Sequence, residues 1–194
     1  MGPDHVTPSE RRMRSDARDN RDKVLRAARA VFAEEGAHAS LNRIAQRAGV
    51  GPGTLYRHFP SLQALLVAII RDDVDRLCAA GHELLGHPDP GDALRIWLHK
   101  VAVHATAMRG LVAAQMLAVS GSDADAALAA CHDEIRAAGS ALLDRTRPHG
   151  AVTTDIDIGD LLTLVNAVAW ASEQAHDDPR LLDRLMTFVG RGLG

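Results

Sequence analysis

Apolar residues recur every three or four positions along most of the chain, which is the spacing of one face of an α-helix. The first such run is Val24, Leu25, Ala28, Val31 and Phe32. Asp19 or Asn20 precedes the run and suits an N-cap, and Gly36 follows it and suits a C-terminal stop. We therefore predict a first helix that begins near residue 19 and ends near residue 36.

Two short helices are predicted next, joined by a glycine turn. Ser40 suits the N-cap of a second helix, which Gly49 ends. A third helix begins near Pro52, because proline is well tolerated in the first turn, and its inward residues are Leu55 and Phe59. A long fourth helix then follows Ser61 and ends between residues 81 and 86.

Helical spacing continues to the end of the sequence. Five further helices are expected at about residues 92–109, 110–120, 122–148, 158–176 and 179–193. Asp92 is the expected N-cap of the first of them, and no segment alternates strongly enough to predict a strand. We predict an all-α fold of about nine helices, with a flexible basic arm (1–18), a three-helix head (19–62) and a helical body (63–194).

Composition excludes several classes of protein. Hydrophobic residues make up 46% of the chain and charged residues 24%, which is ordinary for a globular domain. The longest apolar run, Ala64 to Ile70, is too short to span a membrane. The first twenty residues have no apolar segment typical of a signal peptide, and Cys78 and Cys131 are the only cysteines. We expect a cytoplasmic protein that makes no use of a membrane.

Charge is distributed unevenly along the chain. Residues 1–60 carry a formal charge of +4, whereas residues 61–194 carry −7. A polyanion such as nucleic acid is attracted to the head and repelled by the body.

The predicted third helix has a polar outward face with chemistry suited to DNA. Its outward positions and its approach hold Gly51, Gly53, Thr54, Tyr56, Arg57 and His58. Glycine allows close approach of the backbone, threonine and tyrosine contact phosphates and thymine methyl groups, and arginine contacts phosphates or guanine edges. The alternative is a polar surface helix with no ligand, because two helices around a glycine turn are a common corner.

The stretch from Ser40 to Phe59, SLNRIAQRAGVGPGTLYRHF, resembles the DNA-binding domain of the TetR family of transcriptional regulators. The resemblance implies that the third helix enters the major groove and that Ser40 and Arg43 approach phosphate groups. It also implies a helical body that dimerises and binds a small molecule. One departure is Leu62-Gln63, where the family usually has a lysine followed by an acidic residue. The arginines of the basic arm could supply a phosphate contact in place of that lysine.

The last two predicted helices are apolar on more than one side, which indicates that each has two sets of neighbours. We expect them to pack on their own body and on a second copy, in a twofold interface that matches a pseudo-palindromic operator. The interface residues predicted on these helices are Leu161, Val165, Val168, Trp170, Leu182, Leu185 and Val189.

A small-molecule pocket is predicted in the body because His104 interrupts an apolar stripe of the fifth helix. An apolar cavity with a few polar groups is the usual composition of a ligand site. The predicted lining is Trp97, Val101, His104, Met108, Gln115, Met116, Cys131 and Ile135. The alternative for His104 is a core histidine bonded to a backbone carbonyl.

The sequence contains little that indicates metal binding or catalysis. The ten histidines include no pair four residues apart on a helix, and Cys131 and His132 are adjacent and face different ways. No phosphate loop or nucleophile elbow is present. We therefore predict no metal, no cofactor and no enzyme activity. The expected protein is a repressor released from operator DNA by a small molecule; a ligand-independent regulator or an activator remains open, and a metal sensor or an enzyme is the remote alternative.

Overall fold

The computed structural model describes residues 8–115, 122–149, 156–175 and 178–193. These residues form eight α-helices and no strand, which confirms the all-α prediction. The helices are α1 (Pro8–Glu35), α2 (Leu41–Ala48), α3 (Pro52–His58), α4 (Leu62–Leu84), α5 (Pro90–Gln115), α6 (Ser122–Thr146), α7 (Ile158–Gln174) and α8 (Leu181–Gly192). The predicted eighth and ninth helices are α7 and α8.

Helix α1 is longer than predicted. It begins at Pro8, so the expected N-cap at Asp19 or Asn20 is wrong, and residues 8–18 of the predicted flexible arm are helical. The segment after Pro8 lacks glycine and proline and is rich in arginine, a good helix former. It has no apolar period, but periodicity reports which side is buried rather than whether the backbone is helical. Residues 1–7 lie outside the described part of the chain.

Helix α5 also differs from its prediction. It runs without interruption through Gly110, where two separate helices were expected. One glycine within a helix costs about 1 kcal/mol relative to alanine, which good helix formers on both sides offset. The cap is also corrected: the Asp89 carboxylate accepts from the backbone N–H of Asp92 at 2.8 Å, and Pro90 is the first helical residue.

The chain divides into two compact units: of the described residues, 8–69 and 114–115 belong to the first and the others to the second, so one boundary falls after Ile69, within α4. In the first, which we call the head unit, α1 supplies the buried side chains Val24, Leu25, Ala28, Val31 and Phe32. Ile44 and Ala45 of α2 and Leu55 of α3 are also buried. These are the residues expected to face inward, so the short helices are held by an apolar core.

The second, or body unit, has its own core around Trp97. The indole is fully buried and donates to the carbonyl oxygen of Leu77 at 3.0 Å. Helix α6 approaches it closely at Gly139, where an added Cβ would lie 2.7 Å from the Trp97 ring and 2.6 Å from Ile158. Glycine is therefore required for α5, α6 and α7 to pack at this distance.

Ion pairs and caps fix the helices of the body unit. Arg71 of α4 donates to both carboxylate oxygens of Glu134 of α6 at 2.7 Å, and it also pairs with Asp75 at 2.9 Å. Bidentate arginine–carboxylate pairs constrain geometry as well as distance. Helix α7 begins with a capping box, in which Asp157 and Asp160 accept from each other's backbone N–H.

Candidate functional site

The turn between α2 and α3 is built by local signals in the sequence. The Ser40 hydroxyl accepts from the backbone N–H of Arg43 at 3.3 Å and so caps α2. Gly49 ends α2 in the left-handed conformation, with φ of +67°, which disfavours other residues. Pro52 is the first residue of α3, as predicted. The hydroxyl of Ser40 therefore has a structural partner already.

Helix α3 has a buried side and an exposed polar side. Leu55 is fully buried and Phe59 is 5% exposed, as the spacing predicted. The exposed side carries Gly51, Gly53, Tyr56, Arg57 and His58, with Thr54 half-buried. We call these exposed residues the outward face of α3. The helix is thus anchored on one side and available to a ligand on the other; contact with DNA stays a prediction.

Tyr56 is 46% exposed, and its hydroxyl lies 3.3 Å from the Oδ1 atom of Asn42, to which it donates. This contact joins the outward face of α3 to the first turn of α2. Asn42 was not among the predicted residues, and no pattern within either short helix relates the two positions. The contact depends on how the helices cross.

The arginines of α2 and α3 fall into two groups. Arg43 donates to Glu35 at 2.9 Å and to Gln46 at 3.1 Å, and Arg47 pairs with Glu34. The Arg47 guanidinium holds the pKa of the Glu34 carboxyl below its ordinary value. Arg57, by contrast, has no ion pair within the described residues. Of the arginines on α2 and α3, Arg57 is therefore the one whose charge is not engaged by a carboxylate.

The predicted pocket residues lie in different environments. Trp97, Val101, Cys131 and Ile135 belong to the buried core of the body unit. His104 and Met108 are half-buried. The side chain of Gln115 and the whole of Met116 lie outside the described residues. The pocket therefore stays a prediction, with part of its lining inside the core.

Burial lowers the pKa of His104 below its ordinary value; the carboxylate of Asp73 opposes this effect, and the charges of Arg76 and His132 reinforce it. The imidazole is consequently neutral over more of the physiological range than a free histidine. A neutral imidazole has one donor and one acceptor nitrogen, which suits a neutral polar ligand or a backbone carbonyl.

Two of the predicted dimer residues need correction, and the other five stay predictions. Leu161 is 2% exposed and Val165 is fully buried in the core of their own chain, so neither is available to a partner. Val168, Leu182, Leu185 and Val189 are half-buried, and all but Leu185 pack against the same core. Trp170 alone of the predicted set is exposed, at 56%.

Two further large apolar side chains on these helices are exposed: Leu164, at 45%, and Phe188, at 65%. We call Leu164, Trp170 and Phe188 the outward apolar residues of α7 and α8. Both sides of α7 carry apolar residues, so spacing alone could not tell which side faces the chain's own core.

The side chains able to ligate metals are scattered. Within the described residues, no group of three or more His, Cys, Asp or Glu side chains is arranged to hold a metal ion. Burial raises the pKa of the thiols of Cys78 and Cys131, which makes both of them poorer ligands and nucleophiles. Among the helices described, none is both long enough and apolar enough to cross a membrane.

Comparison with known proteins matches both parts of the chain. Residues 24–69 match the family model described as bacterial regulatory proteins, tetR family. Residues 89–194 match the model described as transcriptional regulator SbtR-like, C-terminal domain.

Individual relatives agree with the family models. A TetR transcriptional regulator from Streptomyces coelicolor is 36% identical, with a TM-score of 0.70 over 89% of this chain and 97% of that one. A TetR transcription regulatory protein from Mycobacterium vanbaalenii is 32% identical, with a TM-score of 0.71 over 93% and 98% of the two chains. The HTH-type transcriptional regulator UidR of Escherichia coli is 43% identical over 72 residues, which span 37% of this chain and 37% of UidR. The chain belongs to the TetR family of bacterial transcriptional regulators, and α2 and α3 are its helix-turn-helix.

Proposed function

We propose that this TetR-family chain is a homodimeric repressor, which binds a pseudo-palindromic operator through α3 and is released by a small molecule. The observation that carries the DNA half of the proposal is the outward face of α3. Its polar side chains are exposed while Leu55 and Phe59 are buried, and Arg57 has no ion pair within the described residues. A rigid helix with an available guanidinium suits major-groove recognition.

The remaining DNA residues have supporting roles in this proposal. Gly51 and Gly53 let the protein backbone approach the sugar-phosphate chain, and Thr54 and His58 contact its phosphate groups. To contact a phosphate, the Arg43 guanidinium either releases the Glu35 carboxylate or donates to both groups at once. Ser40 acts by holding the first turn of α2, because its hydroxyl is already used as the cap.

The dimer is supported by the outward apolar residues of α7 and α8. Monomers rarely expose large apolar patches, and aromatic side chains contribute strongly to interfaces. Trp170 and Phe188 are more than half exposed in the single chain. A twofold dimer carries two α3 helices, one for each half-site of a pseudo-palindromic operator.

The DNA half is tested by selecting bound DNA from a random pool at defined salt, followed by mobility-shift titration of the selected sequence. Arg57→Ala is expected to weaken operator binding by about 1 to 3 kcal/mol and to relax selection at one base pair. Arg180→Ala is the matched control, because Arg180 is exposed and lies in the body unit. Equal affinity of both variants and the native chain for the operator would remove α3 as the recognition helix.

The effector half rests on the half-buried His104, which lies one helical turn from the core residue Val101 on α5. An effector must bind the DNA-incompetent state more tightly, because equal affinity for both states shifts nothing. Small molecules are screened for release of the selected operator, and each active compound is tested on His104→Leu and Met108→Trp. Changed half-effective concentrations with normal ligand-free DNA binding support the pocket. Compounds that act equally on both variants place the effector elsewhere, and a complete absence of releasing compounds favours the ligand-independent regulator or activator.

A further inference from the structure

A cavity of about 590 Å³ lies in the body unit between the first half of α5 and most of the length of α8. We call it the α5–α8 groove. Its volume falls in the range of small-molecule sites. Among the described residues, none of those predicted for the effector pocket lines it, and neither Trp170 nor Phe188 does. The groove is therefore separate from both the predicted effector pocket and the outward apolar residues.

The two walls of the groove are joined by specific contacts. The Nε2 atom of His99 on α5 lies 2.8 Å from the Oδ1 atom of Asp183 on α8. The alkyl part of Arg95 crosses α8 at Gly190, where an added Cβ would lie 2.6 Å from the Arg95 Cδ atom. Glycine at this position lets the Arg95 stem form one side of the groove, while its guanidinium pairs with Asp92.

The groove has an apolar part and an excess of positive charge. Ile96 and Met186 are apolar lining residues, and Ile96 is 41% exposed although it is large and branched. Among the described lining residues, Asp183 carries the single carboxylate, and it is held by His99. Lys100 and Arg191 are exposed and have no ion pair among the described residues. Two cations beside an apolar surface fit an anion that also carries an apolar body.

The net charge of the body limits the class of anion that the groove can bind. Residues 61–194 carry a formal charge of −7, so a long polyanion is repelled by most of this part of the chain. At physiological salt, a small anion interacts mainly with charges within about 10 Å, because more distant charges are screened. In the groove, these nearby charges include Lys100 and Arg191. We propose that the α5–α8 groove binds a small organic carboxylate, with its apolar body against Ile96 and Met186 and its negative charge attracted by the unpaired cations of the lining, Lys100 and Arg191.

The test uses the full-length protein and three probes that separate charge from apolar surface. Octanoate carries both, octanamide has the same alkyl chain without the charge, and acetate has the charge without the chain. Isothermal titration gives the dissociation constants. Methionine-methyl NMR locates the bound probe, because Met186 lines the groove whereas Met108 belongs to the predicted effector pocket. We expect octanoate to shift the Met186 resonance and to bind at least about tenfold more tightly than octanamide or acetate.

The decisive variant is Lys100→Gln/Arg191→Gln, in which only exposed side chains change. We expect its dissociation constant for octanoate to rise about tenfold or more. The matched control is Lys23→Gln/Arg180→Gln, which removes the same two types of charge at exposed positions outside the groove, and it should bind octanoate as the native chain does. Ile96→Gln removes the apolar contact and should weaken octanoate while leaving acetate unchanged.

Several outcomes would overturn the proposal. Equal binding of octanoate and octanamide means that the groove does not recognise charge. A shift of the Met108 resonance without a shift of the Met186 resonance means that octanoate binds outside the groove. No binding at all means that the groove does not take this ligand. If octanoate does not bind and Lys100→Gln/Arg191→Gln changes the oligomeric state in sedimentation, the groove is a contact between copies. No readout depends on operator DNA, so failure here is distinguishable from failure of the proposed function.

Discussion

The outward face of α3 and the outward apolar residues of α7 and α8 are both exposed, but their chemistry is opposite. On α3 the exposed residues include Gly53, Arg57 and His58, and the apolar residues are buried. On α7 and α8 the exposed residues include Trp170 and Phe188, while the same helices also contribute buried side chains to the core. A surface of the first kind stays hydrated until it meets a charged ligand.

A surface of the second kind carries a free-energy cost in water that association removes. Apolar residues on both sides of a helix therefore indicate a partner, whereas polar residues opposite a buried stripe leave the ligand to be decided by charge. The comparison predicts that the effect of a substitution on α7 depends on which side of the helix it lies. On α2 and α3, the effect of removing a charge depends on whether that charge is already paired.

The largest effect is expected on the inner side of α7. Val165 is fully buried, so Val165→Asp places an uncompensated carboxylate in the core of the body unit. We expect a loss of about 3 to 5 kcal/mol in the free energy of unfolding, or insoluble protein. Urea unfolding monitored by circular dichroism measures it, with Ala129→Asp on an exposed position of α6 as the control. A loss no greater than that of the control would contradict the assignment of the inner side.

The same charge on the outer side of α7 should leave the chain folded. Trp170→Asp is expected to weaken self-association by about 2 kcal/mol or more, roughly thirtyfold in the dissociation constant, because a large aromatic contact is replaced by a desolvated charge. Analytical ultracentrifugation over a concentration series gives the result, and Ala129→Asp again serves as the control. Unchanged association of Trp170→Asp would mean that the dimer forms through another surface.

Arginines of the head unit are expected to differ according to their partners. Arg43→Gln should lower operator affinity less than Arg57→Gln does, because Arg43 must give up or share its 2.9 Å contact with Glu35 to reach a phosphate. Removing one full phosphate contact reduces the slope of log affinity against log salt by about 0.9, and Arg43→Gln should reduce it by less. Mobility-shift titrations at several salt concentrations measure both slopes. A larger reduction for Arg43→Gln would make α2 the main source of charge.

The smallest effect is expected from Tyr56→Phe. It removes only the hydroxyl that donates to Asn42 across 3.3 Å at an exposed position. We expect a change below about 1 kcal/mol in stability and in operator affinity, whereas Tyr56→Ala also removes the ring and should cost more at the operator. The two variants are compared in the same mobility-shift assay. If Tyr56→Phe weakens binding as much as Tyr56→Ala, the hydroxyl itself contacts DNA.

What the sequence predicted well depended on local signals. The cap at Ser40, the left-handed Gly49 and the first helical residue Pro52 are each determined within a few residues, and each was found as predicted. The inward positions Leu55 and Phe59 followed from helical spacing. The helix-turn-helix is thus a part of the chain in which local and tertiary preferences agree.

What the sequence did not predict depended on tertiary packing or on an absence of signal. The contacts Tyr56 to Asn42 and Arg43 to Glu35 require the crossing of two helices, which no spacing describes. Leu161 and Trp170 lie on opposite sides of α7, and both sides carry apolar residues. The spacing therefore did not show which side faces the chain's own core. The early start of α1 was missed because a charged helix has no apolar period.

The two tryptophans of the chain occupy contrasting environments, and this gives the protein two optical reporters of its own. Trp97 is fully buried and hydrogen-bonded, whereas Trp170 is 56% exposed in the single chain. In Trp170→Phe, the remaining indole emission shifts to longer wavelength only when the body unfolds. In Trp97→Phe, we expect iodide to quench the remaining indole less as the proposed dimer forms. Fluorescence alone would then follow folding and the proposed self-association as separate events, without an attached dye.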